Sequence, residues 1–130
     1  MGVRFPSVSS NTILNSPIVT SAETVVVTTP PLNLALDFAQ ILLFWYIVLT
    51  VGAAGNAIIP RLRRGTTIAG TLVNVAFNQT AVAGNIVASS GSYADTPGAV
   101  AGQQYSLTMQ VNAATANSTV QDVSLIAFAL

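Results

Sequence analysis

Between Ile41 and Val51 the chain reads ILLFWYIVLTV, and within that run only Thr50 is polar. Phe44, Trp45 and Tyr46 stand side by side, and no charge occurs from Phe38 until Arg61-Leu62-Arg63-Arg64 closes the stretch. A segment this apolar is stable in lipid or in the dry interior of a protein or an assembly. As a helix, 38–59 would be about 33 Å long, enough to cross a bilayer, with the arginines as a flanking anchor. Against the helix stand Gly52, Gly55 and Asn56, which read as a turn, and the density of β-branched and aromatic residues. The spacing therefore predicts two strands, about 40–51 and 57–64, joined by GAAGN as a hairpin. A membrane-anchored protein using residues 38–59 is the alternative.

Strand alternation puts Ile41, Leu43, Trp45, Ile47, Leu49 and Val51 on one face and Leu42, Phe44, Tyr46, Val48 and Thr50 on the other. Both faces are apolar, yet one sandwich core can absorb only one of them. The row Leu42, Phe44, Tyr46 and Val48 is accordingly expected to pack on another subunit. Residues 1–40 folding over that row is the competing arrangement.

Composition points the same way. Charged residues make up 6% of the 130 positions, with four arginines against four acids and a net charge of zero, while 52% are hydrophobic. So weak a charge coat guards poorly against self-association, which fits a chain whose surface is covered by copies of itself or by a larger lattice. Neutrality argues against nucleic acid, since phosphate binding needs clustered positive charge. Cysteine and histidine are both absent, which removes disulfides, thiolate or imidazole metal sites and histidine-dependent triads.

The first 22 residues hold Pro6, Pro17 and isolated apolar side chains without a sustained period. They read as an extended arm, with Phe5, Ile13, Leu14 and Ile18 as the residues that would lie along a neighbour. Glu23–Thr29 is a β-branched strand stopped by Pro30-Pro31. Further strands are expected at 71–78, 86–93, 103–112 and 120–130. In the 103–112 strand Tyr105, Leu107, Met109 and Val111 face inward, and Gln104, Ser106, Thr108, Gln110 and Asn112 outward. Pro60 suggests that 57–64 lies at a sheet edge or carries a bulge. About eight strands at roughly ten-residue spacing, with Gly/Pro/Asn turns and no helix, describe an all-β antiparallel sandwich of jelly-roll type.

No chemistry can be read from the remaining motifs. Gly65-Thr66-Thr67-Ile68-Ala69-Gly70 lacks the lysine and the helix of a phosphate loop. Glu23, Asp37, Asp95 and Asp122 are scattered singly, so no paired-carboxylate site is indicated. Arg61, Arg63 and Arg64 are candidates for contact with acidic groups on a neighbouring subunit, or form an ordinary solvated strand face. The expectation is no enzyme, no cofactor and no metal.

Three segments carry a resemblance: Arg61-Leu62-Arg63-Arg64-Gly65-Thr66-Thr67; Asp95-Thr96-Pro97-Gly98 through Gly102-Gln103-Gln104-Tyr105-Ser106-Leu107-Thr108; and Val120-Gln121-Asp122-Val123-Ser124-Leu125. Over about residues 23–130 the chain resembles small jelly-roll virion proteins of tailed bacteriophages. That resemblance implies a jelly roll, often trimeric in the manner of tumour-necrosis-factor-like domains, that decorates or cements a capsid. The resulting expectation is an arm over 1–22 and a jelly-roll domain over 23–130. The protein would sit on the capsid surface of a virion as a homotrimer, with the major capsid protein as partner. A single-jelly-roll coat protein and a tail or spike module binding host glycans remain open beside it.

Overall fold

The computed structural model describes residues 7–14, 18–19, 21–34, 40–50, 56–75, 79–81, 86–98, 100–111 and 118–129. The described elements are strands: β1 (Ser7–Leu14), β2 (Ile18–Val19), β3 (Thr24–Thr28), β4 (Leu32–Leu34), β5 (Ile41–Thr50), β6 (Asn56–Arg64), β7 (Leu72–Val75), β8 (Gln79–Ala81), β9 (Ile86–Asp95), β10 (Val100–Gln103), β11 (Tyr105–Val111) and β12 (Ser118–Ala129). They form two five-stranded antiparallel sheets. The first has the order β1-β12-β5-β9 with β2 beside β12, and the second the order β3-β11-β6-β7 with β8 beside β6. A small ladder joins β10 to β4. The chain passes repeatedly from one sheet to the other, and its last strand is inserted between β1 and β5. This is a jelly roll.

Strand β5 sits inside the first sheet, as its apolar pattern demands. Its inward row, Ile41, Leu43, Trp45, Ile47 and Leu49, is buried. Val123, Leu125 and Ala127 from β12 lie beside that row, and Ile58, Leu62, Tyr105, Leu107, Met109 and Val111 close the core from the second sheet. The expected hairpin between β5 and β6 does not form. Ten residues of β5 pair with β9 on one edge and ten with β12 on the other. Both edges are thereby occupied, so β6 crosses to the second sheet and pairs with β11. Because 41–50 is a strand, the helix alternative for 38–59 fails as well. Among the described residues no helix is long and apolar enough to cross a membrane.

Pro60 lies within the second sheet, and the β6–β7 ladder shifts register close by, between Leu62 and Arg63. On one side β6 pairs continuously with β11, with Pro60 opposite Met109. On the other side β8 pairs with Asn56–Ile58 and β7 with Arg61–Arg63. None of the described pairings on that side reaches Pro60. In β12 a register shift between Val120 and Asp122 inserts Gln121. That bulge lets both Val120 and Val123 point into the core.

Ser7–Leu14, which the sequence places in an arm, pair residue for residue with Leu14↔Asp122 through Ser7↔Ala129 and make the edge strand of the first sheet. The boundary at residue 22 thus cuts through a sheet that already includes β1.

Candidate subunit interface

The outer face of the first sheet follows from the second half of the β5 alternation. Phe44 is 44% and Tyr46 37% exposed, with Leu42 and Val48 half-buried beside them. On β12, Phe128 stands opposite Leu42 and Ile126 opposite Phe44, which widens the row into an apolar ridge along the two central strands. Next to the ridge, β9 sets Ala94, Ser92, Ser90 and Ala88 opposite Leu42, Phe44, Tyr46 and Val48. These short side chains make a step down from the aromatic ridge, and Ile86, 69% exposed, closes the far end. A ridge flanked by a shallow trough is apolar, shaped and accessible, the features of a protein-binding surface.

One carboxylate interrupts this face. The Tyr46 hydroxyl donates to Asp122 Oδ2, and that bond raises the Tyr46 pKa above its ordinary value. Asp122 Oδ1 is buried without a hydrogen-bond partner.

The second sheet presents a different outer face. Arg63 grips Glu23 through two bonds, Nε to Oε1 at 2.7 Å and Nη2 to Oε2 at 3.0 Å. Arg61 lies 3.9 Å from the same carboxylate and donates to Gln110 Oε1 at 2.9 Å. The Arg63 hydrogen bond, working against burial, holds the Glu23 carboxyl below its usual range. Ser106 and Thr108, expected to be solvated, are fully buried beneath this network. Ser106 donates to the Gly65 carbonyl and Thr108 to Glu23, so an outward-pointing polar residue here is covered by its neighbours.

Arg64 points the other way, to the end of the sandwich. Its guanidinium forks onto Asp95 at 2.8 and 2.7 Å, and the Tyr105 hydroxyl adds a third bond at 2.8 Å. Asp95 ends β9 of the first sheet, while Arg64 and Tyr105 belong to β6 and β11 of the second, so the trio clasps the sheets together. Burial pushes the Asp95 carboxyl up, but the bonds from Arg64 and Tyr105 outweigh it and leave the pKa lowered. Burial, then the bond to Asp95, raises Tyr105.

The predicted site residues thus separate into distinct places. Leu42, Phe44, Tyr46 and Val48 do share one exposed face. The three arginines do not act together: Arg61 and Arg63 lie on the outer face of the second sheet, Arg64 lies at the end clasp, and the acids beside them belong to the same chain. Of the arm residues, Ile13 and Leu14 pair with Val123 and Asp122, and Ile18 with Thr119. Phe5 and Asp37 lie outside the described residues. Sequence reasoning missed Asp122, Ile126 and Phe128. The last two were legible as an alternating apolar strand end, but nothing local placed that strand beside β5. Among the described residues no group of three or more acidic, histidine or cysteine side chains gathers around a point.

No family model and no curated protein matches the sequence. Solved structures do. A chain of the T13 infectious bursal disease virus particle superposes with a TM-score of 0.68 at 9% identity, covering 94% of this chain and 31% of that one. The Gt strain of the same virus gives 0.64 at 10% identity, over 94% and 32%. Its VP2 subviral particle gives 0.60 at 11%, over 95% and 36%. The chain has the fold of a viral capsid β-sandwich. It spans about a third of the length of the capsid chains it matches, and at these identities the likeness is one of fold.

Proposed function

We propose that this chain is a structural protein of a virion, and specifically a bacteriophage decoration or cement protein that forms a homotrimer and stabilises the shell. The exposed ridge of Leu42, Phe44, Tyr46, Val48, Ile126 and Phe128 carries the proposal. A lone soluble domain gains nothing by leaving two central strands greasy on the solvent side, whereas a subunit gains a binding surface. An ordinary interface buries about 800 Å² per partner. The fold shared with capsid chains supports the same class. In this reading Phe5, Ile13, Leu14 and Ile18 attach the protein to the major capsid protein at the capsid surface.

The structure changes how attachment is tested. Deleting residues 1–20 would strip β1 from the sandwich, so the informative variant removes 1–6 alone. Purified protein added to shells that lack it should bind to saturation, and the 1–6 deletion should lose binding while remaining a trimer. Undiminished binding would refute attachment through Phe5.

A single-jelly-roll coat protein is the second reading, favoured by the likeness to shell-forming chains. Electron microscopy of the purified protein separates the two. Discrete small oligomers support decoration, closed particles assembled from this chain alone support coat, and a monomer at every concentration that also fails to bind shells overturns both.

A further inference from the structure

The second sheet's outer face holds two guanidinium groups, Arg61 and Arg63, against one carboxylate, Glu23, which leaves one positive charge in surplus (two minus one). The bidentate bonds of Arg63 take up both Glu23 oxygens, so the surplus resides on Arg61, half-buried beside Gln110. The first sheet's outer face holds the converse. Among the described residues Asp122 is met by a neutral phenol and by no cation, and one of its oxygens is buried without a partner. The third ion pair, Arg64 with Asp95, is closed within the molecule and adds to neither face.

Covering Asp122 with an apolar surface removes the water that still solvates it and adds no donor. Burying an uncompensated carboxylate costs several kcal/mol, enough to cancel much of what an apolar contact contributes. A symmetric contact, first sheet against first sheet, would bury two such carboxylates in one interface and bring no cation of the described residues to either. The surface that covers Asp122 must therefore carry a donor with positive charge. Within this chain the described cation in surplus is Arg61, on the opposite side of the sandwich.

We infer that copies of this chain associate head to tail, the first-sheet face of one subunit receiving the second-sheet face of the next, with Arg61 of the incoming copy paired to Asp122. The inference rests on the self-association proposed above and specifies its geometry. Beside the carboxylate the Tyr46 ring offers a π face to the arriving guanidinium. A head-to-tail contact closes into a ring when its rotation allows and extends into a filament when it does not, and two faces on opposite sides of a sandwich favour the open stack. Among the described residues the contact consumes both unbalanced charges.

Sedimentation equilibrium of the full-length protein tests this with Arg61→Glu, Asp122→Arg and the double variant. Each single reversal should raise the dissociation constant about tenfold or more, and the double reversal should return it to within about threefold of the parent. Additive losses in the double variant, or single reversals without effect, overturn the inference. Far-UV circular dichroism checks folding. Should a reversal fail to fold, Arg61→Gln and Asp122→Asn enter the same cycle, where a coupling of about tenfold supports the pairing and strict additivity overturns it. A parent chain that stays monomeric yet binds shells overturns this geometry and leaves the virion role standing. One that does neither overturns both.

Discussion

Replacing Gly91 by alanine places a methyl group where the Trp45 indole already lies. A Cβ at position 91 would stand 2.7 Å from Cζ2, 2.9 Å from Cε2 and 3.1 Å from Nε1 of that ring. Carbon atoms rest about 3.5–4.0 Å apart, so the indole must retreat by about 1 Å. It has little freedom to do so. Trp45 is 5% exposed, and its β5 neighbours on the inner face, Leu43 and Ile47, are fully buried. Overpacking of this kind costs about 1–3 kcal/mol, and for a domain of this size that lowers Tm by about 5–15 °C. Trp45 is the chain's single tryptophan, so its emission reports the displacement directly while circular dichroism follows the melt. Trp45→Phe deletes the atoms the methyl would strike, and Gly91→Ala in that background should cost markedly less than in the parent. If Gly91→Ala melts within about 2 °C of the parent with unshifted emission, β9 is not pressed onto the tryptophan and the register between β5 and β9 is wrong.

Acid should weaken the fold through Glu23 and Asp95. Both carboxyls have lowered pKa values in the folded chain, so their stabilisation is complete above about pH 5 and is lost as pH falls below about 4; a flat Tm across that range would refute it. Asp95→Ala strands the Tyr105 hydroxyl and the Arg64 fork. Because Arg64 is about one-third exposed, the expected loss in chemical denaturation is about 1–3 kcal/mol, and Tyr105→Phe should cost less, about 0.5–1.5 kcal/mol. Phe44→Ser combined with Tyr46→Ser should shift light scattering toward the monomer while changing the monomer's unfolding midpoint little; an unchanged oligomer would remove that face from the interface.

Local pattern made most strands visible. The β-branched run before Pro30, the doubly apolar run at 41–50 and the clean alternation at 105–111 each announce a strand, because side-chain period and backbone geometry are local properties. The partners of those strands were not visible in the same way. The GAAGN segment has hairpin chemistry, yet β5 and β6 part company because β9 and β12 fill both edges of β5, and no local signal reports that a strand near the C-terminus will be inserted there. Ser7–Leu14 showed no sustained period, and its strand character comes from the open edge of β12. The candidate interface was half legible. Leu42, Phe44, Tyr46 and Val48 declared themselves by being apolar on a face the core had no room for, whereas Ile126, Phe128 and Asp122 joined them only through pairing across more than seventy residues of chain.

The sequence by itself determined a sparsely charged, net-neutral, all-β chain with more apolar strand surface than a single core can hold, since composition and alternation need no knowledge of neighbours. Tertiary structure decided which apolar row became the core, what presses on Gly91, and which of the described charges remain unbalanced. Those outcomes depend on contacts between strands distant in sequence. In a jelly roll nearly every ladder is of that kind, because the chain alternates between sheets and the last strand fits between the first and fifth.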